Sequence, residues 1–165
     1  MSQPSPLTLR KAVRTDLPAL VAMLADDVLG ASRERPGDLA LYERAWQQIE
    51  AQAGNQVLVA DLAPHGVVGC LQLTFIPGLA RQGALRAQIE GVRVAAAHRG
   101  HDIGERLLAF AIASAREAGC HLVQLTTDKR RTDAHRFYER LGFHATHEGM
   151  KLELGLGPEP GNTPV

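Results

Sequence analysis

Only two cysteines, Cys70 and Cys120, occur among 165 residues. They sit in apolar surroundings and lack the spacing of a metal knuckle or a redox pair, so two buried, reduced thiols are expected. An excess of charge is equally lacking. Eighteen basic and eighteen acidic side chains give a formal net charge of +0, and no run of like charge exceeds a few residues, so there is no footprint for a nucleic-acid backbone. No segment approaches the ~20 apolar residues needed to cross a bilayer, and the first residues lack the charged-then-apolar order of a secretory leader. No membrane partner is expected, and the expected location is cytoplasmic and bacterial. Internal repeats are absent. So are the Gly-x-Ser-x-Gly elbow, a hydrolase Cys/His arrangement and the Gly-x-Gly-x-x-Gly dinucleotide fingerprint. Histidines recur three apart at His98 and His101 and at His144 and His147. Zinc needs three or four converging ligands, however, and neither cysteine lies nearby, so no metal is expected.

What is present suits one buried core. With 45% apolar residues, the chain is long enough for one domain and too short for two comfortable ones. Residues 7–154 are expected to form that domain, while the proline-rich ends, 1–6 and 155–165, offer little to bury and should fray. Leu7 to Val13 reads as a strand. A helix beginning at Thr15 and Asp16 carries Leu17, Leu20, Val21, Leu24 and Val28 on one side, and residues 30–38 form a polar connection. A second helix is expected from Leu39 to Ala53, with Tyr42, Trp46 and Ile49 in its stripe. Val57–Leu62 and Val67–Ile76 read as a hairpin across Ala63-Pro64-His65-Gly66. A loop over Pro77–Ala84 then leads to a strand over Leu85–Val94. Gly91 inside that strand marks a bulge or a close backbone approach.

The junction that follows is the most informative segment. Gln88 to Gly104 joins an extended stretch bearing a carboxylate to a glycine-containing turn that opens an amphipathic helix. Free N–H groups at a helix start favour an anion, and glycines let a phosphate come close to the chain. The helix carries Ile103, Leu107, Phe110, Ala111 and Ser114, widened by Leu108, Ile112 and Ala115, and stops at Gly119. Leu122–Thr126 reads as a central strand. Another helix carries Ala134, Phe137, Tyr138 and Leu141; Gly142 suits the left-handed position after its end, and Phe143 should pack back. A closing strand completes an α+β layer sandwich with a mixed, mostly antiparallel sheet.

Two stretches, Arg99-Gly100-His101-Asp102-Ile103-Gly104 and Phe137-Tyr138-Glu139-Arg140-Leu141-Gly142-Phe143, occur in that order around a helix and a strand. Together they resemble the GNAT superfamily of N-acetyltransferases, whose acetyl-CoA loop reads Gln/Arg-x-x-Gly-x-Gly/Ala and whose later helix often reads Phe-Tyr-x-x-Leu-Gly-Phe. The resemblance covers about residues 7–154. It implies a six- or seven-stranded GNAT-like sheet flanked by four helices, with the strand containing Gly91 splayed from the next to admit the pantetheine arm. One residue departs from the pattern, since Asp102 stands where its first glycine belongs. An aspartate there can cap the helix, for ~1 kcal/mol, and its charge should weaken binding of a diphosphate unless the side chain turns outward.

The resemblance further implies acetyl-CoA as co-substrate, without a metal, and transfer to the primary amine of a small molecule or peptide by direct attack. Transfer needs an unprotonated nucleophile, an oxyanion donor and a proton for the leaving thiolate. By resemblance Glu90 is the base, Tyr138 the proton donor and the Val94 backbone N–H the oxyanion donor. Val92 and Val94 would line the cofactor, the backbone from Arg99 through Gly100, His101, Asp102, Ile103 and Gly104 to Glu105 would hold the pyrophosphate, and Arg131 would meet the cofactor arm or its 3′-phosphate. Glu90 also reads as a solvated carboxylate or a partner for Arg86 or Arg93, and Lys129 to Arg131 as a solvated loop. Arg33, Glu34 and Arg81 are candidate acceptor contacts, and the arginines suit a carboxylate-bearing amine. A sensor of the same fold that holds acyl-CoA or a small amine without turnover is the alternative. A homodimer is common in the family, although no interface is legible.

Overall fold

Five strands make one sheet in the order β1-β2-β3-β4-β5: β1 (Leu7–Lys11), β2 (Asn55–Leu62), β3 (Gly66–Pro77), β4 (Leu85–Val94) and β5 (Leu122–Leu125). The first four pair antiparallel and β5 runs parallel to β4. This computed structural model describes residues 7–26, 31–152 and 154. Among the described residues five α-helices accompany the strands: α1 (Leu17–Ala25), α2 (Leu39–Ala51), the single turn α3 (Ala80–Gly83), α4 (Ile103–Glu117) and α5 (Thr132–Arg140). The chain divides into two compact units, one ending at Thr126 and the other beginning at Thr127.

Both faces of the sheet are covered in the first unit, which is why β2 and β3 read as nearly continuous apolar runs. On one face, Leu58, Leu71, Leu73 and Ile89 are fully buried with Leu107 and Leu108 of α4. Each such side chain stabilises the fold by about 1.5–3 kcal/mol. On the other face, Val59 and Cys70 pack with Leu17, Leu20, Val21 and Trp46 of α1 and α2. A clamp pins the start of α1 to the sheet. Arg10 on β1 meets both oxygens of Asp16 at 2.7 and 3.0 Å and reaches Asp61 on β2 at 2.8 Å. Asp16 also accepts from the Val13 N–H at 2.8 Å. Arg10 holds the Asp16 carboxyl below the usual carboxylate range, and the Val13 bond adds to this against the opposing effect of burial.

Several boundaries differ from the sequence expectation. β1 stops at Lys11 and α2 at Ala51 because Gln52 turns extended, and β2 starts two residues early, at Asn55. The stretch expected as a loop over Pro77–Ala84 holds α3, which Arg81 and Gln82 interrupt at φ 54° and 61°. Val28 lies outside the described residues, and Met23 is buried on α1 where Leu24 is half-buried. The largest difference is the closing strand. Among the described residues after α5 no strand forms, and Met150 and Leu152 are exposed. The described sheet therefore has five strands, fewer than the six or seven that the resemblance implied.

The second unit holds α5. Gly142, at φ 88°, ends the helix in a left-handed turn. Its N–H donates to the Glu139 carbonyl at 3.0 Å, and the Phe143 N–H donates to the Tyr138 carbonyl at 3.1 Å. Those two bonds define a Schellman cap, and the Phe143 ring meets the Tyr138 ring at 5.9 Å, the apolar contact that accompanies it.

Candidate active site

β4 changes its company halfway along. From Arg86 to Ile89 it pairs with β5, from Leu122 to Leu125, and beyond Ile89 no residue of β5 accompanies it. At this point Gly91 takes φ 61°. Cys70 and Gln72 on β3 face Arg93 and Glu90, so two steps on β3 oppose three on β4. That is a bulge, and a left-handed backbone there favours glycine. The Cys70 thiol points at the Gly91 carbonyl, 3.9 Å away. Burial pushes this thiol up to about 12, so Cys70 supports the bulge and is no nucleophile at neutral pH. Beyond the bulge the Ala95 N–H donates to the Val68 carbonyl at 2.8 Å. By alternation in an antiparallel ladder, the Val94 N–H turns away from β3, toward the edge that β5 covers only as far as Ile89. Val92 and Val94 are half-buried on this edge, and the Glu90 side chain is exposed.

The turn after β4 forms a cradle of backbone donors. Gly100 has φ 79° and Asp102 has φ 57°, and right-handed Ile103 follows as the first residue of α4. A left-handed residue followed by a right-handed one turns successive N–H groups to one side, the arrangement that binds anions. The first intrahelical bond runs from the Arg106 N–H to the Asp102 carbonyl at 2.9 Å. The N–H groups of Ile103, Gly104 and Glu105 therefore have no partner within the helix. The Arg99 side chain folds back, its Nε donating to the Val94 carbonyl at 3.1 Å, which ties the turn to the strand. His101 Nδ1 lies 3.0 Å from the Arg99 carbonyl oxygen. Gly100, His101, Asp102 and Glu105 are exposed, Gly104 is half-buried and Ile103 is buried.

Asp102 corrects one expectation, because its side chain makes no cap bond. A side-chain cap needs an extended N-cap residue. Left-handed Asp102 adopts the conformation of the glycine it replaces and offers its backbone, with its side chain exposed.

The remaining predicted residues are less concentrated. Glu90 has no hydrogen bond or ion pair to a described residue, so of its alternative readings the structure fits a solvated carboxylate and not a partner for Arg86 or Arg93. Glu34 is occupied, its carboxylate accepting from the Tyr42 hydroxyl at 2.9 Å, while that hydroxyl accepts from the Arg35 N–H at 2.8 Å. Arg33 and Arg81 are exposed. In the second unit Lys129 pairs with Glu148 and Arg130 with Asp128. Arg131 is the N-cap residue of α5. Tyr138 is half-buried beside Phe137, with ring centres 5.3 Å apart. Sequence reasoning missed Gly69, where an added Cβ would stand 3.2 Å from Ile103 Cγ2. A glycine inside an apolar run was its only local signal.

A family model described as "Acetyltransferase (GNAT) family" matches residues 20–143. A glucosamine 6-phosphate N-acetyltransferase of Trypanosoma brucei brucei is 33% identical over 129 residues, covering 78% of this chain and 86% of that protein. An aminoalkylphosphonate N-acetyltransferase of Salmonella typhimurium is 51% identical over 49 residues, 30% of this chain. That match spans 32% of the relative's own length. A crystal structure described as a transcriptional regulator from Bacillus halodurans C-125 is 51% identical with a TM-score of 0.85, covering 90% of this chain and 99% of that one.

Proposed function

Because this chain belongs to the GNAT acetyltransferase family, we propose that it transfers an acetyl group from acetyl-CoA to the primary amine of a small molecule or peptide. The observation that carries this reading is the turn from left-handed Asp102 into α4, lying directly after β4, whose pairing with β5 ends at Ile89. A diphosphate held on the N–H groups from Gly100 to Glu105 would leave the pantetheine arm to run along the open edge of β4, past Val92. The thioester carbonyl would then meet the Val94 N–H, a donor already fixed before charge develops on the oxygen.

Glu90 follows Ile89 at the parting of the strands, and its unpaired carboxylate is free to take the ammonium proton, directly or through water. Attack by the neutral amine forms the new C–N bond, and collapse of the tetrahedral intermediate expels the CoA thiolate. Tyr138 is our choice for the group that protonates that sulfur, on the strength of the residues 137–143 motif alone. No covalent enzyme intermediate is required.

A sensor without turnover is a second reading, favoured by the description of the Bacillus halodurans relative and by the exposed carboxylate at Asp102. Thiol release with a panel of amines separates the two. Release that depends on an amine is expected; thermal stabilisation by CoA with no thiol from any amine would favour the sensor. Absence of heat from coenzyme A at millimolar dose would overturn both acetyl transfer and acyl-CoA sensing, and leave a small-amine sensor.

A further inference from the structure

On the face of the sheet that packs against α1 and α2, the character of the side chains changes across the strands. Val59 and Cys70 lie under Leu20, Val21 and Trp46. Toward β5 the same face turns polar. Register sets Gln88 beside Gln124, and alternation along β4 puts Arg86, Gln88 and Glu90 on this face while Ala87 and Ile89 are buried on the other.

The strip carries a charge at each end. Arg86 is half-buried; its Nε is buried without a hydrogen-bond partner, and no described carboxylate pairs with its guanidinium. Glu90 likewise has no partner among the described residues and is exposed. Four residues of strand separate their Cα atoms by about 13 Å, and Arg86 Nη1 lies toward Gly78 in the β3–β4 connection, so the two do not neutralise each other. Between them Gln124 Nε2 donates to Gln88 Oε1 at 2.7 Å, which leaves the Gln124 carbonyl oxygen to accept. A half-buried guanidinium without a counter-ion is unfavourable unless a ligand supplies one.

We propose that this strip is the acceptor site and that the acceptor is an extended anionic amine. Its ammonium group meets Glu90, its hydroxyl or amide groups lie over Gln88 and Gln124, and its phosphate or carboxylate pairs with Arg86. The assignment rests on the acetyl-transfer reading and adds to it the chemistry of the second substrate. A charge-assisted, bidentate contact of this kind discriminates strongly against an analogue lacking the anion.

Two matched pairs test it: glucosamine 6-phosphate against glucosamine, and triglycine against triglycinamide. In at least one pair the anionic member should have a kcat/KM about tenfold or more higher, read in KM, because the contact is a charged hydrogen bond. Arg86→Gln should bring that ratio to within about twofold with CoA affinity unchanged, and Arg86→Lys should keep part of it as a point charge. The responding pair identifies phosphate or carboxylate. Equal rates in both pairs, or a preference that survives Arg86→Gln, would overturn the assignment. If Arg86→Gln does not fold, the wild-type ratios decide. Should no amine release thiol, the transfer reading fails separately, and calorimetry then judges the strip: heat from an anionic member that Arg86→Gln abolishes supports it, and no heat or unchanged heat rejects it.

Discussion

Gly69 on β3 lies directly beneath Ile103, the first residue of α4: a Cβ built at Gly69 would stand 3.2 Å from Ile103 Cγ2, 3.3 Å from the Arg93 carbonyl and 3.4 Å from Ala60 Cβ. The missing side chain lets the helix start settle onto the sheet. The height of the turn that opens α4 is thus set by a residue on another segment.

Gly69→Ala should lift Ile103 and tilt the first turn of α4. The expected cost is about 1–3 kcal/mol of stability from overpacking, with CoA binding weakened several-fold. Ile103→Ala removes the clashing methyl, so the double variant should lose less than the two single losses added together. Calorimetric CoA titrations and thermal melts of the four proteins form the cycle; strict additivity would show that the contact does not set the cradle.

Asp102→Gly should stabilise the protein. The left-handed backbone at φ 57° and ψ 8° is strained for a residue with a Cβ, and no side-chain cap bond is lost. Relief of about 0.5–1 kcal/mol is expected, a rise of a few degrees in Tm. Removing the carboxylate beside the diphosphate should also tighten CoA binding. A lower Tm would mean that the side chain has a stabilising partner.

The Arg10–Asp16 clamp predicts an acid limb. Because Arg10 lowers the folded-state pKa of Asp16, its stabilisation is complete above the unfolded value of about 3.9 and is lost as pH falls through the lowered one. Asp16→Asn should cost about 1–3 kcal/mol at neutral pH, because Arg10 loses its bidentate partner and keeps only Asp61, and it should flatten the stability curve below about pH 4. Denaturant melts across that range measure both; an unchanged acid limb would assign it to other carboxylates.

Glu90→Gln tests the base. We expect kcat/KM to fall about a hundredfold, CoA affinity to stay the same, and the acidic limb of the pH–rate profile to disappear. A variant with the wild-type profile would remove Glu90 from that role.

Local chemistry made much of this legible in advance. β4 runs from Leu85 to Val94 as expected, Gly91 sits at a bulge, and Leu141-Gly142-Phe143 closes α5 with the cap its residues suggested. Those features depend on residues close in sequence. The Asp102 cap failed because an aspartate signals a cap only when its backbone is extended. Glu34 looked free because its partner, Tyr42, lies eight residues away on α2.

The order of residues alone determined where the chain turns, which stripes are apolar, and that backbone donors open α4, because each follows from spacing and from the conformations a single residue allows. Only the tertiary structure decided that the pairing of β4 with β5 ends at Ile89, that Gly69 seats Ile103, and that Arg86 and Glu90 share one face without meeting. Strand register and close approach between distant segments are properties of packing, and no local pattern encodes them.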